Sequence, residues 1–376
     1  MKKALSMLMA FALAISLAAC GQSSAPSKTS GGGSSSQAET SGQTSAAKDV
    51  LVGVAMPTKS LQRWNQDGAN LEAGLTEKGY KVDLQYAENK VEAQVSQIEN
   101  MITKGATILV IAPVDGGALT SILERAKSEG ISVIAYDRFI TDTTAVDVCA
   151  TFDNTRVGEI QGQYIIDKLG LTTNKGPFNL EITAGPLDDN NASYFLNGAL
   201  NVLQPYIDNG TLVVRSGQKT REQCATPNWE EKEAQARMDN ILTAYYSDDE
   251  IDAVLCSNDS TSLGVQSSLK SVGYGTAEKP MPVITGQDAN IANVKAIIKG
   301  EQTMSVFKDT RSLAKQVVKM VEAYANGEEP PINDTTTYNN GAKVVPAYKL
   351  DPIAVDKDNY KELLVDSGYY TEDQLQ

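Results

Sequence analysis

The chain has 376 residues, room for two domains, and its 41% hydrophobic and 21% charged content is ordinary for a packed protein. A formal charge of −14 argues against a nucleic-acid partner, because phosphate backbones repel such a body. There is no histidine, which removes the residue most used as general base and metal ligand.

The opening "MKKALSMLMAFALAISLAAC" reads as a basic region, an apolar stretch and small residues before Cys20. That is the pattern of a secretory signal over 1–19, too short to persist as a membrane span. "LAAC" resembles the bacterial lipoprotein signal, which implies that Cys20 becomes the lipid-modified first residue of the mature chain. Residues 20–48 follow as a tether. Between 21 and 47, 17 of 27 residues are Ser, Gly or Thr, a composition that cannot offset the entropy of ordering. Cys149, Cys224 and Cys256 remain; Cys149 and Cys256 lie in apolar runs and read as buried free thiols. An exported compartment permits one disulfide whose pairing the spacing does not fix.

From Lys48 the chain alternates apolar runs with helical periodicity. "VLVGVAM", "KVDLQYA", "TILVIAPV" and "ISVIAYD" read as strands, separated by helices at 66–79, 91–102 and 118–128. After "FDN" the rhythm restarts: helix 154–169, strand "FNLEITAG", helix 190–205, strand "TLVVRSG", helix 230–246, strand "DAVLCSN", helix 260–271 and strand "MPVITGQ". Fully apolar strands between helices predict parallel sheets covered on both faces. Two such units predict one α/β architecture facing itself across a cleft.

Ligands of open parallel sheets bind beyond the carboxyl ends of the strands. The groups expected there are Arg63 and Trp64, Asp115, Asp137 and Arg138, Asp188 to Asn191, Asn258 and Asp259, Asp288, and Lys308. Asn190, Asp259 and Asp309 are also natural helix caps. Trp64 and Trp229, the only tryptophans, sit beside polar loops rather than inside apolar runs. Ionised Asp accepts from hydroxyls, Arg and Lys donate, Asn does both, and an indole covers a weakly apolar C–H face. This set suits a pyranose. Carboxylates interleaved with Arg and Lys should stay ionised and are unsuited to the general-acid work of a glycosidase.

"SQIENMITKGATILVIAPVDG", "VIAYDR", "DNNA", "QARMDN", "SNDS" and "GQDA" resemble, in order, the type I periplasmic sugar-binding proteins, above all the xylose-binding and multiple-monosaccharide-binding receptors of ABC transporters. The resemblance runs from about Val50 to the C-terminus. It implies two Rossmann-like lobes with parallel sheets joined by a three-crossover hinge, one from 49–152 and 309–340, the other from 153–308 and 341–376. It implies a monosaccharide site of Arg63, Trp64, Asp137, Arg138, Asp189, Asn191, Trp229, Asn258, Asp288 and Lys308, with Lys59, Asp115, Asn190 and Asp259 as outlying candidates. No D-x-[DN]-x-[DN]-G calcium loop is present, so neither metal nor cofactor is expected. No P-loop is present either, so the ATPase of the expected permease partner would be a separate subunit. The expectation is a monomeric receptor on the outer face of a Gram-positive cell, held to the membrane by lipid alone.

Overall fold

The computed structural model describes residues 50–376; the signal at 1–19, Cys20 and the tether at 20–48 lie outside the described residues. The chain runs β1 (Leu51–Met56), α1 (Gln62–Glu77), β2 (Lys81–Tyr86), α2 (Val91–Thr103), β3 (Ile108–Ile111), α3 (Thr120–Ser128), β4 (Ser132–Tyr136) and β5 (Val148–Phe152). It continues with α4 (Asn154–Leu169), β6 (Phe178–Thr183), α5 (Asn191–Asp208), β7 (Leu212–Val213), the single turn α6 (Arg221–Cys224), α7 (Glu231–Tyr245), β8 (Ala253–Cys256), α8 (Asp259–Ser271), β9 (Val283–Ile284), α9 (Ile291–Lys299) and β10 (Met304–Phe307). It closes with α10 (Thr310–Ala325), β11 (Ala347–Leu350), β12 (Ile353–Asp356) and α11 (Glu372–Leu375).

One sheet has the order β11-β5-β4-β3-β1-β2, every pairing parallel. Its central strands β1, β3, β4 and β5 are buried on both faces, as their apolar runs require, while the edge strands β2 and β11 are only partly buried. Ile108 and Val110 of β3 face the core shared with α1 and α10, while Leu109 and Ile111 face α2 and α3. A second sheet, β7-β6-β8-β9, is also parallel. It departs from the all-parallel expectation at one edge, where β10 pairs antiparallel with β12. Backbone bonds from Asp288 N to Val306 O (2.8 Å) and Val306 N to Gly286 O (2.9 Å) join that ribbon to the end of β9.

The chain passes between the sheets after β5, after β10 and between β11 and β12. The expected third break at 340 comes too early. β11 pairs in parallel with β5, so the segment up to Leu350 stays with the first sheet, and only β12 joins the second. Such a pairing of strands some two hundred residues apart leaves no local mark in the sequence. The three cysteines are free and buried; burial pushes all three thiols up, Cys224 to about 11. Among the described residues no helix is long and apolar enough to cross a membrane.

Candidate functional site

The carboxyl ends of both sheets open on one small cavity of about 30 Å³. All ten side chains expected of the site line it. The first lobe supplies Arg63, Trp64, Asp137 and Arg138, the second Asp189, Asn191, Trp229, Asn258 and Asp288, and Lys308 enters at the crossing after β10.

Helix α1 starts at Gln62, four residues before the periodicity indicates, with Leu61 as an N-cap that makes no side-chain bond. Arg63 and Trp64 therefore ride on a helical first turn instead of a loop. Arg63 serves three carboxylates: Nε donates to Asp67 Oδ2 (2.9 Å), Nη2 to Asp137 Oδ1 (2.6 Å) and Nη1 to Asp288 Oδ1 (3.5 Å). Only Asp288 belongs to the second lobe. Lys308 Nζ stands 3.7 Å from Asp137 Oδ1 and 3.5 Å from Asp288 Oδ1.

Burial alone would push the Asp137 carboxyl up, but Arg63 and Lys308 outweigh it and hold it below the usual range. Behind the wall, burial wins at Asp67 and raises its carboxyl despite Arg63. Burial opposes the charge of Arg63 as well, and Asp137, Asp67 and Asp288 more than restore it. The lining thus carries three cations, Arg63, Arg138 and Lys308, against three carboxylates, Asp137, Asp189 and Asp288. Its formal charge is balanced before any ligand arrives.

A second cluster spans the lobes. Arg138 Nε meets Asp189 Oδ2 at 2.9 Å, and the same oxygen accepts from Trp229 Nε1 at 3.1 Å. Asn191 Nδ2 donates across to the carbonyl of Asp137 at 3.0 Å, while its Oδ1 accepts from Asn154 on α4. The Trp64 ring carries both guanidinium groups, with Arg63 and Arg138 at 4.9 and 5.1 Å from its centroid. Lys308 stands 5.5 Å from the ring of Phe195, which leans on Trp229.

Asp137, Trp229 and Asp288 have φ of 56°, 60° and 98°. Each such backbone costs about 1–3 kcal/mol and persists only where its surroundings over-determine it. Three of them in one wall mark a surface shaped against local preference. At Gly185 a Cβ would collide with the Trp229 indole, so glycine there lets the ring pack against the backbone after β6.

Lys59, Asp115, Asn190 and Asp259 do not line the cavity. Lys59 reaches the Tyr86 ring, Asp115 binds the backbone of Gly117, and Asn190 lies in a separate groove. Asp259 is buried beneath the floor, accepting from Asn290 N (2.7 Å), Ser305 Oγ (2.8 Å) and Gln302 Nε2 (3.1 Å). The capping expectation holds only at Asp309, which accepts from Arg311 N. Asn258, expected as a ligand group, is the cap of α8 through Thr261 N, and Asn190 makes no capping bond. Leu61, Phe195 and Gln287 complete the lining and were not anticipated. Phe195 lies one helical turn after Asn191, a spacing that puts both on one face. Gln287 lies three residues past β9, bridged to Val306 and directly before Asp288.

The periplasmic binding protein domain model matches residues 52–329. The chain is 53% identical over 330 residues to the multiple sugar-binding periplasmic receptor ChvE of Rhizobium radiobacter, covering 88% of this chain and 93% of that one. It is 38% identical over 329 residues to the D-xylose-binding periplasmic protein of Escherichia coli K12, with the same coverage. The crystal structure of an ABC transporter solute binding protein from Clostridium phytofermentans with bound β-D-glucose superposes with a TM-score of 0.84 at 57% identity, covering 87% of this chain and 100% of that one. With a family match over most of its length and relatives of these identities, the chain belongs to the periplasmic binding proteins, a family of receptors and not of enzymes.

Proposed function

We propose that this chain is the solute-receiving component of an ABC sugar importer and captures one aldose, of the xylose, glucose or galactose class, by closing its lobes on it. The observation that carries this reading is the charge-balanced cavity whose planar polar groups come from both lobes. A neutral polyol completes those hydrogen bonds without adding net charge, and neither lobe holds enough of them alone. The two indoles offer flat apolar surface to its C–H faces. Closure is selected because only the closed form satisfies both half-sites. The sugar-binding names of the relatives and the glucose in the Clostridium phytofermentans structure agree with this chemistry.

The closed receptor would dock as a monomer on a permease driven by a separate ATPase subunit. A lipid on Cys20 would hold it at the outer face of the membrane of a Gram-positive cell. Calorimetric titration against xylose, glucose, galactose and arabinose tests the central claim: saturable one-to-one heat is expected from at least one, and silence from all four would overturn it. Incorporation of labelled palmitate, lost in Cys20→Ser, tests the anchor.

A further inference from the structure

Among the described residues that line the cavity, only Gln287 has a buried side-chain polar atom without a partner, its Oε1. Around it Asp137, Asp189 and Asp288 each accept from an arginine, and Asn191 both donates and accepts. Gln287 itself is 3% exposed. Its backbone is fixed, since its carbonyl accepts from Asp259 N at 3.0 Å and the next N–H bonds Val306 O at 2.8 Å. Only side-chain torsions are left to find a partner, and the protein offers Oε1 none.

A buried amide oxygen without a donor is costly and is seldom tolerated unless something else supplies the donor. A half-turn of the carboxamide would place its NH2 there with the same need. The group most able to answer, in a charge-balanced cavity closed around a polyol, is a hydroxyl of the ligand. Resting on the reading of the cavity as a monosaccharide site, we propose that Gln287 is a specificity-determining residue whose carboxamide oxygen accepts the proton of one sugar hydroxyl. It therefore imposes a requirement for that hydroxyl. The charged residues of the wall grip the ligand strongly, whereas Gln287 reads a single position with a neutral bond.

The test uses the full chain, D-glucose and its 2-, 3-, 4- and 6-deoxy analogues, titrated into the natural protein and Gln287→Met, which keeps side-chain length but removes the amide. Each analogue should bind the natural protein more weakly than glucose, and for the one lacking the hydroxyl that Gln287 reads the loss should be about 10- to 100-fold, the range expected when a buried polar group loses its partner. Gln287→Met should lose a similar factor for glucose and bind that one analogue as well as the natural protein does. The retained affinity for the analogue also proves the variant folded. Equal losses for glucose and all four analogues would make Gln287 a packing residue and overturn the proposal, as would no loss at all. Absence of binding by the natural protein to any hexose or pentose would instead bring down the sugar reading beneath it.

Discussion

Arg138 of the first lobe and Asp189 of the second stand 2.9 Å apart, with side chains only 7% and 4% exposed. Asp189 is also the acceptor for the Trp229 indole, so one carboxylate both clasps the lobes and sets an aromatic wall. Asp189→Asn keeps the shape but leaves Arg138 buried without its counter-ion. Breaking a buried pair on one side costs about 3–5 kcal/mol, and because this pair joins the two lobes the loss should appear in binding. Sugar affinity should fall by about 100-fold or more in calorimetry; an unchanged affinity would show that the clasp contributes nothing to closure.

Tyr370, near the C-terminus, belongs to a core with α9 and β12 in the second lobe. Its hydroxyl donates to the carbonyl of Ala289 at 3.0 Å and accepts from Gln62 Nε2 on α1 at 2.8 Å. Gln62 and Ala289 adjoin Arg63 and Asp288, so the tail reinforces the same junction that the ligand site uses. Tyr370→Phe removes one bridging hydroxyl, worth about 1 kcal/mol. The sugar off-rate should rise about fivefold in stopped-flow fluorescence, with the on-rate little changed; an unaltered off-rate counts against a role in closure.

Gly185→Ala would drive a methyl group into the Trp229 ring. The indole must shift and with it the bond to Asp189. Affinity should drop about tenfold or more, the scale of a 1–3 kcal/mol overpacking strain. Sugar binding should also cease to produce the full change in tryptophan emission. A variant with natural affinity and natural emission would mean that the ring does not need this position.

Burial, with Asp288 nearby, pushes the Asp259 carboxyl up to about 8, against about 3.9 for an exposed aspartate. The folded protein therefore favours the protonated form. The stability Asp259 contributes is full below about pH 4 and is lost as pH rises through about 8. Asp137, held low by Arg63 and Lys308 in spite of its burial, acts in the opposite sense and loses its contribution only in acid. The melting temperature should fall between pH 5 and pH 8.5, and Asp259→Asn should flatten that slope. Parallel slopes in the two proteins would remove Asp259 as the cause.

Much of the fold was legible because parallel strands buried on both faces are written as short apolar runs. α4 occupies the anticipated 154–169, and β3 and β4 lie inside their predicted runs. β5 shows in the sequence only as an apolar run around Cys149, and nothing local marks the start of α1, because Leu61 gives no capping signal. The chemistry of the site was legible for a related reason. A doubly wound sheet delivers whatever follows its strands to one edge, so residue types at those positions name the kind of ligand.

The division of labour among those residues was not. Arg63 and Asp288 are 225 positions apart and meet only because the chain crosses between the lobes. Whether a strand-end Asn caps a helix, as Asn258 does, or bridges the lobes, as Asn191 does, depends on which backbone groups the packed structure leaves free. The sequence by itself determined two apolar, helix-covered sheets and a rim of planar polar groups, since periodicity and residue type are local properties. Tertiary structure alone decided which charges neutralise one another, which indole lies on which arginine, and that Gln287 is left with an unanswered acceptor. Those are distances between remote segments, and no local pattern encodes them.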